Sequence, residues 1–182
     1  MSAPREVMPA GPAVRRAQPA DAASLALLGA ATFLESYAHL LPAADILAHT
    51  AKQHAASHYA RWLDDAGTAC WLAEHETGGA PLGYAVATPP DLPLEGLGAG
   101  DLEIRRIYVL HRYQGIGLGR RLMQSVDAHA ASIGASRLLL GVYSRNEAAL
   151  AFYARLGFVR AGTRQFRVGA NDYFDYILQR IL

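Results

Sequence analysis

Apolar and polar positions alternate along this chain with two periods, one near two residues and one near 3.6, and the switches between them mark the elements. Val14 to Ala17 reads as a short strand. Pro19 and Asp21 then supply a turn and a helix cap, and Leu25, Leu28 and Phe33 continue a helical stripe. Pro42 opens a second helix, Ala43 to Leu63, with Ile46, Leu47, Tyr59 and Trp62 among its apolar positions. The stretches TACWLAEH and PLGYAVATPP read as two strands joined at Gly78-Gly79, a hairpin. PPDLPLEGLGAG has no periodicity and reads as a loop. DLEIRRIYVL is the longest strand signal. A glycine turn, RYQGIGLGRRL, leads from it into a helix from Gly117 to Ile133, whose Leu118, Leu122, Val126, Ala130 and Ile133 share one face. SRLLLGVY is continuously apolar, as in a strand covered on both faces. NEAALAFYARLG is a helix with Asn146 as its cap and Gly157 as its stop. FVRAGTRQFRV and YFDYILQRIL close the chain as strands. The predicted order is βααββ, then βαβα, then ββ.

Composition narrows this picture. The chain has 182 residues, room for one domain with a real core, and 52% of them are apolar against 18% charged. A net charge of +1 gives no global field for nucleic acid or a membrane surface. Lys52 is the only lysine among the cations; the rest are arginines. The single cysteine, Cys70, excludes an intramolecular disulfide and sits in an apolar stretch that suits a buried structural thiol. The segment MSAPREVMPAGP lacks a continuous apolar run and is not read as a signal peptide. We expect residues 1–12 to be a flexible tail, residues 13–182 to be one domain, and the location to be cytoplasmic, with no membrane span.

Three anion-binding turns compete for RYQGIGLGRRL. A P-loop requires Lys-Ser/Thr after its last glycine, and Arg120-Arg121 follow Gly119. A dinucleotide turn requires G-x-G-x-x-G, and the third glycine here comes one position early, with no acidic residue about twenty positions on to take a ribose. The third pattern is Q-x-x-G-x-G, carried by Gln114, Gly117 and Gly119. Between a strand and a helix, it resembles the cofactor motif of the GCN5-related N-acetyltransferases (GNAT family). Downstream, Asn146, Phe152, Tyr153, Gly157 and Phe158 resemble a second motif of that family, and LEIRRIYVL resembles its central strand. The resemblance runs from Leu102 to Phe158. It implies an α/β (α+β) single-domain fold, a mixed, mostly antiparallel twisted sheet of about six or seven strands flanked by about four helices.

It also implies a reaction: acetyl-CoA as co-substrate, no metal, and direct attack of a primary amine through a tetrahedral intermediate. A lysine-like amine, with a pKa of about 10.4, must lose a proton first. The pantetheine arm would lie along Ile107, Tyr108 and Val109 as an added strand, with an N–H near Val109 polarising the thioester. Gln114, Gly115, Gly117, Leu118, Gly119 and Arg120 would seat the pyrophosphate on a helix N-terminus. Tyr153 would serve the leaving sulfur. Asn146 would reach the pantetheine, cap its helix, or do both. Glu103 would take the amine proton or be a solvated carboxylate paired with an arginine. Alternation puts Glu103, Arg105 and Ile107 on one face unless a bulge intervenes.

Glu35, Tyr37, Tyr84 and Asp175 are the weaker candidates for the acceptor pocket. His54 and His58 have metal-compatible i, i+4 spacing but no third ligand in sequence, and His111 reads as a loop residue. TFLESY and FRVGANDYFDYILQRIL are similar to the spermidine/spermine-type members of the family, which implies a small amine acceptor, polyamine-like or amino-acid-like. Protein N-terminal or lysine acetylation, a non-catalytic acyl-CoA-binding sensor and a nicotinamide enzyme are the alternatives. The apolar C-terminal strand is compatible with a homodimer.

Overall fold

The computed structural model describes residues 11–168 and 171–182. Residues 1–10 of the expected tail lie outside these. Ala13–Arg16 forms β1. A 3-10 turn at Pro19–Asp21 leads into α1, Ala22–Tyr37. The helix expected from Ala43 to Leu63 is two helices, α2 over Ala43–Gln53 and α3 over Ala56–Asp64. The break comes at His54 and Ala55, where Ala55 is extended (ψ 144°). Its cause lies outside the local pattern. The break turns the His54 ring inward, where it is 6% exposed and its Nδ1 sits 2.9 Å from the Tyr59 hydroxyl.

The hairpin pairs β2, Ala69–Glu74, with β3, Pro81–Thr88. Gly78 (φ 81°) and Gly79 (φ 66°) lie in the left-handed region the turn demands, which L side chains resist. Then come β4, Asp101–Val109; α4, Leu118–Ser132; β5, Arg137–Tyr143; and α5, Glu147–Arg155. The closing strands are β6, Val159–Val168, and β7, Asn171–Ile181. The seven strands form one sheet in the order β1-β2-β3-β4-β5-β7-β6. Every pairing is antiparallel except β4 with β5. The mixed, mostly antiparallel single-domain fold expected from the sequence is the fold observed.

Each face of the sheet buries its own core. Leu118, Leu122, Met123, Val126 and Ala130 of α4, with Tyr153 of α5, cover the face that carries Leu102, Ile104, Leu138 and Leu140. Leu25 and Leu28 of α1, with Tyr59 of α3, cover the other face at Leu72, Tyr84 and Val86. At about 25 cal/mol per Å² of apolar surface removed from water, these two layers are the main stabilising contribution.

Two irregularities in β4 open and orient the centre of the sheet. Ala87 pairs with Ile104 and Val86 with Arg106, so Arg105 is an extra residue in a β-bulge. The bulge reverses the alternation. Leu102, Ile104, Ile107 and Val109 pack toward α4, while Tyr108 packs toward α1. The bulge is the exception that the expectation allowed for, so Glu103 and Ile107 do not share a face: Glu103 is grouped with Arg106 and Tyr108. The second irregularity is a splay. β4 and β5 pair only at Asp101–Arg137, Leu102–Leu138 and Glu103–Leu139, and then separate.

Candidate active site

The splay leaves a V between two strands that remain paired on their outer sides. The Leu110 N–H donates to Leu82 O on the β3 side at 2.9 Å. By the alternation of the strand, Tyr108 also directs its peptide groups toward β3, while Ile107 and Val109 direct theirs into the V. Of the three residues expected along the pantetheine, two thus present backbone to the opening, and Tyr108 offers its side chain. Unpaired strand edges are costly when they go unmet, and this one is short and enclosed within the sheet. Gln114 meets part of it, its Nε2 donating to Val109 O at 3.0 Å. The glutamine amide is thereby a brace between the strand and the turn.

At the mouth of the V, a 3-10 turn at His111–Tyr113 leads into α4. The Glu35 carboxylate accepts from the His111 N–H at 3.1 Å and pins this turn to α1. Gly115 (φ 80°) and Gly117 (φ 86°) adopt conformations that L residues rarely reach, and Gly117 caps the helix without a side-chain hydrogen bond. Gly119 is different. A Cβ there would meet only the Phe152 ring, at 3.5 Å, an ordinary contact, so the fold itself does not demand a glycine. The N–H groups of the first turn of α4, including those of Leu118, Gly119 and Arg120, have no backbone partner among the described residues, and exposed Arg120 stands beside them.

Tyr153 of α5 projects from the α4 side of the sheet. The residue is 7% exposed. Its hydroxyl makes no hydrogen bond to a described residue and is not sealed from solvent. Burial pushes its pKa above the usual phenol value, and the nearby Tyr108 adds to that. Asn146 caps α5, its Oδ1 accepting from the Ala149 N–H at 3.1 Å, so the capping role is realised.

The opposite face of the V carries the acceptor candidates. Tyr37, Tyr108, Asp175 and Arg164 interact electrostatically as one group. Tyr108 first, then burial, then Asp175 hold the Tyr37 phenol well above its usual pKa. Burial raises the Asp175 carboxyl, partly offset by Arg164, whose Nε donates to it at 3.1 Å. Tyr84 is a core residue, fully buried, hydrogen-bonded to the Tyr59 hydroxyl at 3.2 Å and stacked on Tyr108. Glu103 is 1% exposed. Its oxygens accept from the Asp91 N–H at 2.7 Å and from Arg105 at 3.2 and 3.3 Å. The structure therefore brings Tyr37, Tyr108, Tyr153 and Asp175 together, and places Glu35, Tyr84 and Glu103 in supporting contacts.

Sequence reasoning missed one feature of this face. Arg106 Nη1 donates to Gln53 O at 3.0 Å and to the Tyr59 hydroxyl at 2.6 Å, and lies 3.3 Å from His54 Nδ1. The guanidinium lies over the Trp62 ring at 4.7 Å. Its only signal in sequence was an arginine on a strand facing an apolar core. His54 points into this network rather than to a metal. Among the described residues, no group of three His, Cys, Asp or Glu side chains is placed to hold a metal. Cys70 is buried, which pushes its thiol up to about 11 and leaves it unreactive. No described helix is long and apolar enough to cross a membrane.

A sheet split between its parallel strands, with a glycine turn and helix N-terminus at the opening, defines an acyltransferase of the N-acetyltransferase class. Residues 34–158 match the model of the acetyltransferase (GNAT) family. The chain belongs to that family and is a GNAT N-acetyltransferase. It is 35% identical over 162 residues to an uncharacterized N-acetyltransferase of Mycobacterium bovis, covering 89% of this chain and 98% of that one. Among solved structures it is similar in fold to the PaiA N-acetyltransferase from Thermoplasma acidophilum in complex with coenzyme A. The TM-score is 0.74 at 14% identity, covering 95% of this chain and 100% of that one. It is likewise similar to the ribosomal-protein-alanine N-acetyltransferase from Brucella melitensis. There the TM-score is 0.72 at 24% identity, with 93% and 99% covered.

Proposed function

We propose that this enzyme transfers an acetyl group from acetyl-CoA to a primary amine of a small molecule. The observation that carries this reading is the V itself. Its inner edge offers the Ile107 and Val109 peptide groups, and its mouth offers the open N–H groups of α4. A pantetheine carries amides that suit a strand edge, and a pyrophosphate suits a helix N-terminus, so these residues fit acetyl-CoA. The Thermoplasma protein was solved with coenzyme A.

When bound, acetyl-CoA supplies a thioester carbonyl activated for attack by an amine. The chain does the rest. Val109 N–H, fixed by the sheet, meets the negative charge that develops on that carbonyl oxygen. The Gly115, Gly117 and Gly119 turn admits the diphosphate to the backbone, and Arg120 adds a charge. Gln114 braces the turn, and Asn146, as cap, fixes the start of α5 and with it Tyr153. The Tyr153 hydroxyl holds a proton for the departing sulfur, and its raised pKa keeps that proton in place until a strong base forms.

Two carboxyl groups face the amine side. Glu103 is engaged on both oxygens and holds Arg105 at the bulge, whereas Asp175 lies in the tyrosine group with its proton affinity raised by burial. Asp175 is therefore the better placed to receive the amine proton, with Tyr37 and Tyr108 beside it. The test is thiol release from acetyl-CoA over an amine panel, with pH–rate profiles for Asp175→Asn and Glu103→Gln. Loss of the basic-going limb in Asp175→Asn alone supports this assignment. Loss of it in Glu103→Gln alone returns the base to Glu103. Tight acetyl-CoA binding without turnover on any amine marks a sensor instead.

A further inference from the structure

We infer that the acceptor amine carries a carboxylate and that Arg106 is its receptor; this rests on the acetyltransferase reading. Arg106 follows the bulge directly, on the face shared with Glu103, and Glu103 is the last residue of β4 paired across the vertex of the V. It lines a cavity of about 260 Å³ with Gln53, His58, Trp62, Thr88 and Arg105. This is smaller than the roughly 300–1,000 Å³ typical of drug-sized ligands and suits a small acceptor.

Among the described residues, the inward-facing charge of Arg106 has no counter-ion. Arg15, Arg105, Arg137, Arg164, Arg167 and Arg180 each pair with a carboxylate. Among the described residues, Arg106 pairs with none. Both acids that line the cavity are committed elsewhere. Asp65 accepts from the Gly67 N–H and the Thr68 hydroxyl, and Asp91 pairs with Arg105. The surrounding groups register this charge. After burial, Arg106 is the next cause that lowers the pKa of His49 to about 4, His54 to about 3 and His58 to about 4. These histidines stay neutral and do not add competing cations.

The geometry is that of a receptor only partly used. Among the described residues, hydrogen bonds engage Nη1 alone. Nε and Nη2 bond to no described residue, and neither is sealed from solvent. These two N–H groups form the planar edge that meets both oxygens of a carboxylate in parallel. A polyamine would bring cations to an unneutralised guanidinium, which is repulsive. The cavity thus selects an amino-acid-like acceptor over a polycation, and it separates two classes that the sequence left together.

The experiment uses the full chain and thiol release from acetyl-CoA. Glycine, β-alanine and 4-aminobutyrate are compared with their carboxamides and with 1,3-diaminopropane, each rate referred to the free-amine fraction. In at least one pair the acid is expected to exceed its amide in kcat/KM by about tenfold. Arg106→Gln should bring that ratio toward one through the KM of the acid, with acetyl-CoA KM unchanged, and Arg106→Lys should restore part of it. An amide or diamine used as well as the acid overturns the inference, as does a ratio that survives Arg106→Gln. Should Arg106→Gln fail to fold, the wild type still decides. Propionate must compete with the acid acceptor and propionamide must not; equal inhibition by both overturns it. Absence of turnover with any amine overturns the transferase reading itself, whereas turnover without acid preference overturns only this inference.

Discussion

Gly29, inside α1, shows how one missing atom organises a site. A Cβ there would stand 2.2 Å from His54 Nδ1 and 2.3 Å from the Tyr59 hydroxyl. These two groups join Arg106 to the helices, so Gly29→Ala must push the network apart. We expect a loss of about 1–3 kcal/mol, read as a lower melting temperature, together with a raised acceptor KM. At Tyr153 the expectation is the reverse. Tyr153→Phe removes a hydroxyl with no partner among the described residues, so stability should hold while kcat falls by roughly 10²-fold. A kcat unchanged in steady-state assays would remove the acid role. Tyr153 stands out in the sequence because a motif contains it. Gly29, His54 and Arg106 were not, since their meaning depends on neighbours 25 to 77 positions away in the chain, and no local period encodes such a meeting.

The elements were legible where one period ran unbroken, as in β4, α4, β5 and α5. The boundary between α2 and α3 was hidden, because His54 at the break meets its partners only in the folded chain, and the bulge was open as a possibility but not located, because ordinary residues flank Arg105. The vertex of the V was also invisible, although it rests on nameable groups. Arg137 binds Asp101 through Nε at 2.7 Å and Nη2 at 2.6 Å, and Nη2 also reaches Gly96 O at 3.0 Å. Asp101 is held below its usual pKa by this partner. Arg137→Gln strands a largely buried carboxylate and should cost about 3 kcal/mol in urea unfolding. At the other end of β4, Gly117→Ala forces a left-handed alanine at the start of α4. It should lower stability by about 1–2 kcal/mol and weaken coenzyme A binding, measured by calorimetry.

On the scale of the molecule, the histidine cluster ties stability to pH. His54 has a folded pKa of about 3 against an ordinary value of 6.5, because burial and then Arg106 oppose its charge. The unfolded chain therefore binds protons that the folded chain refuses. Stability from this residue is complete above pH 6.5 and falls as the pH drops toward 3, by up to about 1.4 kcal/mol per pH unit. Melting temperatures at pH 7 and pH 5 should differ, and His54→Asn should narrow the gap. The splay sets a different global property. With three residue pairs joining β1–β4 to β5–β7–β6, the sheet is two half-sheets on a short hinge. On the proposed reading, acetyl-CoA takes the position of a missing strand between them and completes their hydrogen bonding. The Ile107 and Val109 amides should exchange with deuterium readily in the free enzyme and become protected with acetyl-CoA, while β2 and β3 change little. The enzyme would then be most rigid just before it reacts, and each release of product would restore its capacity to flex.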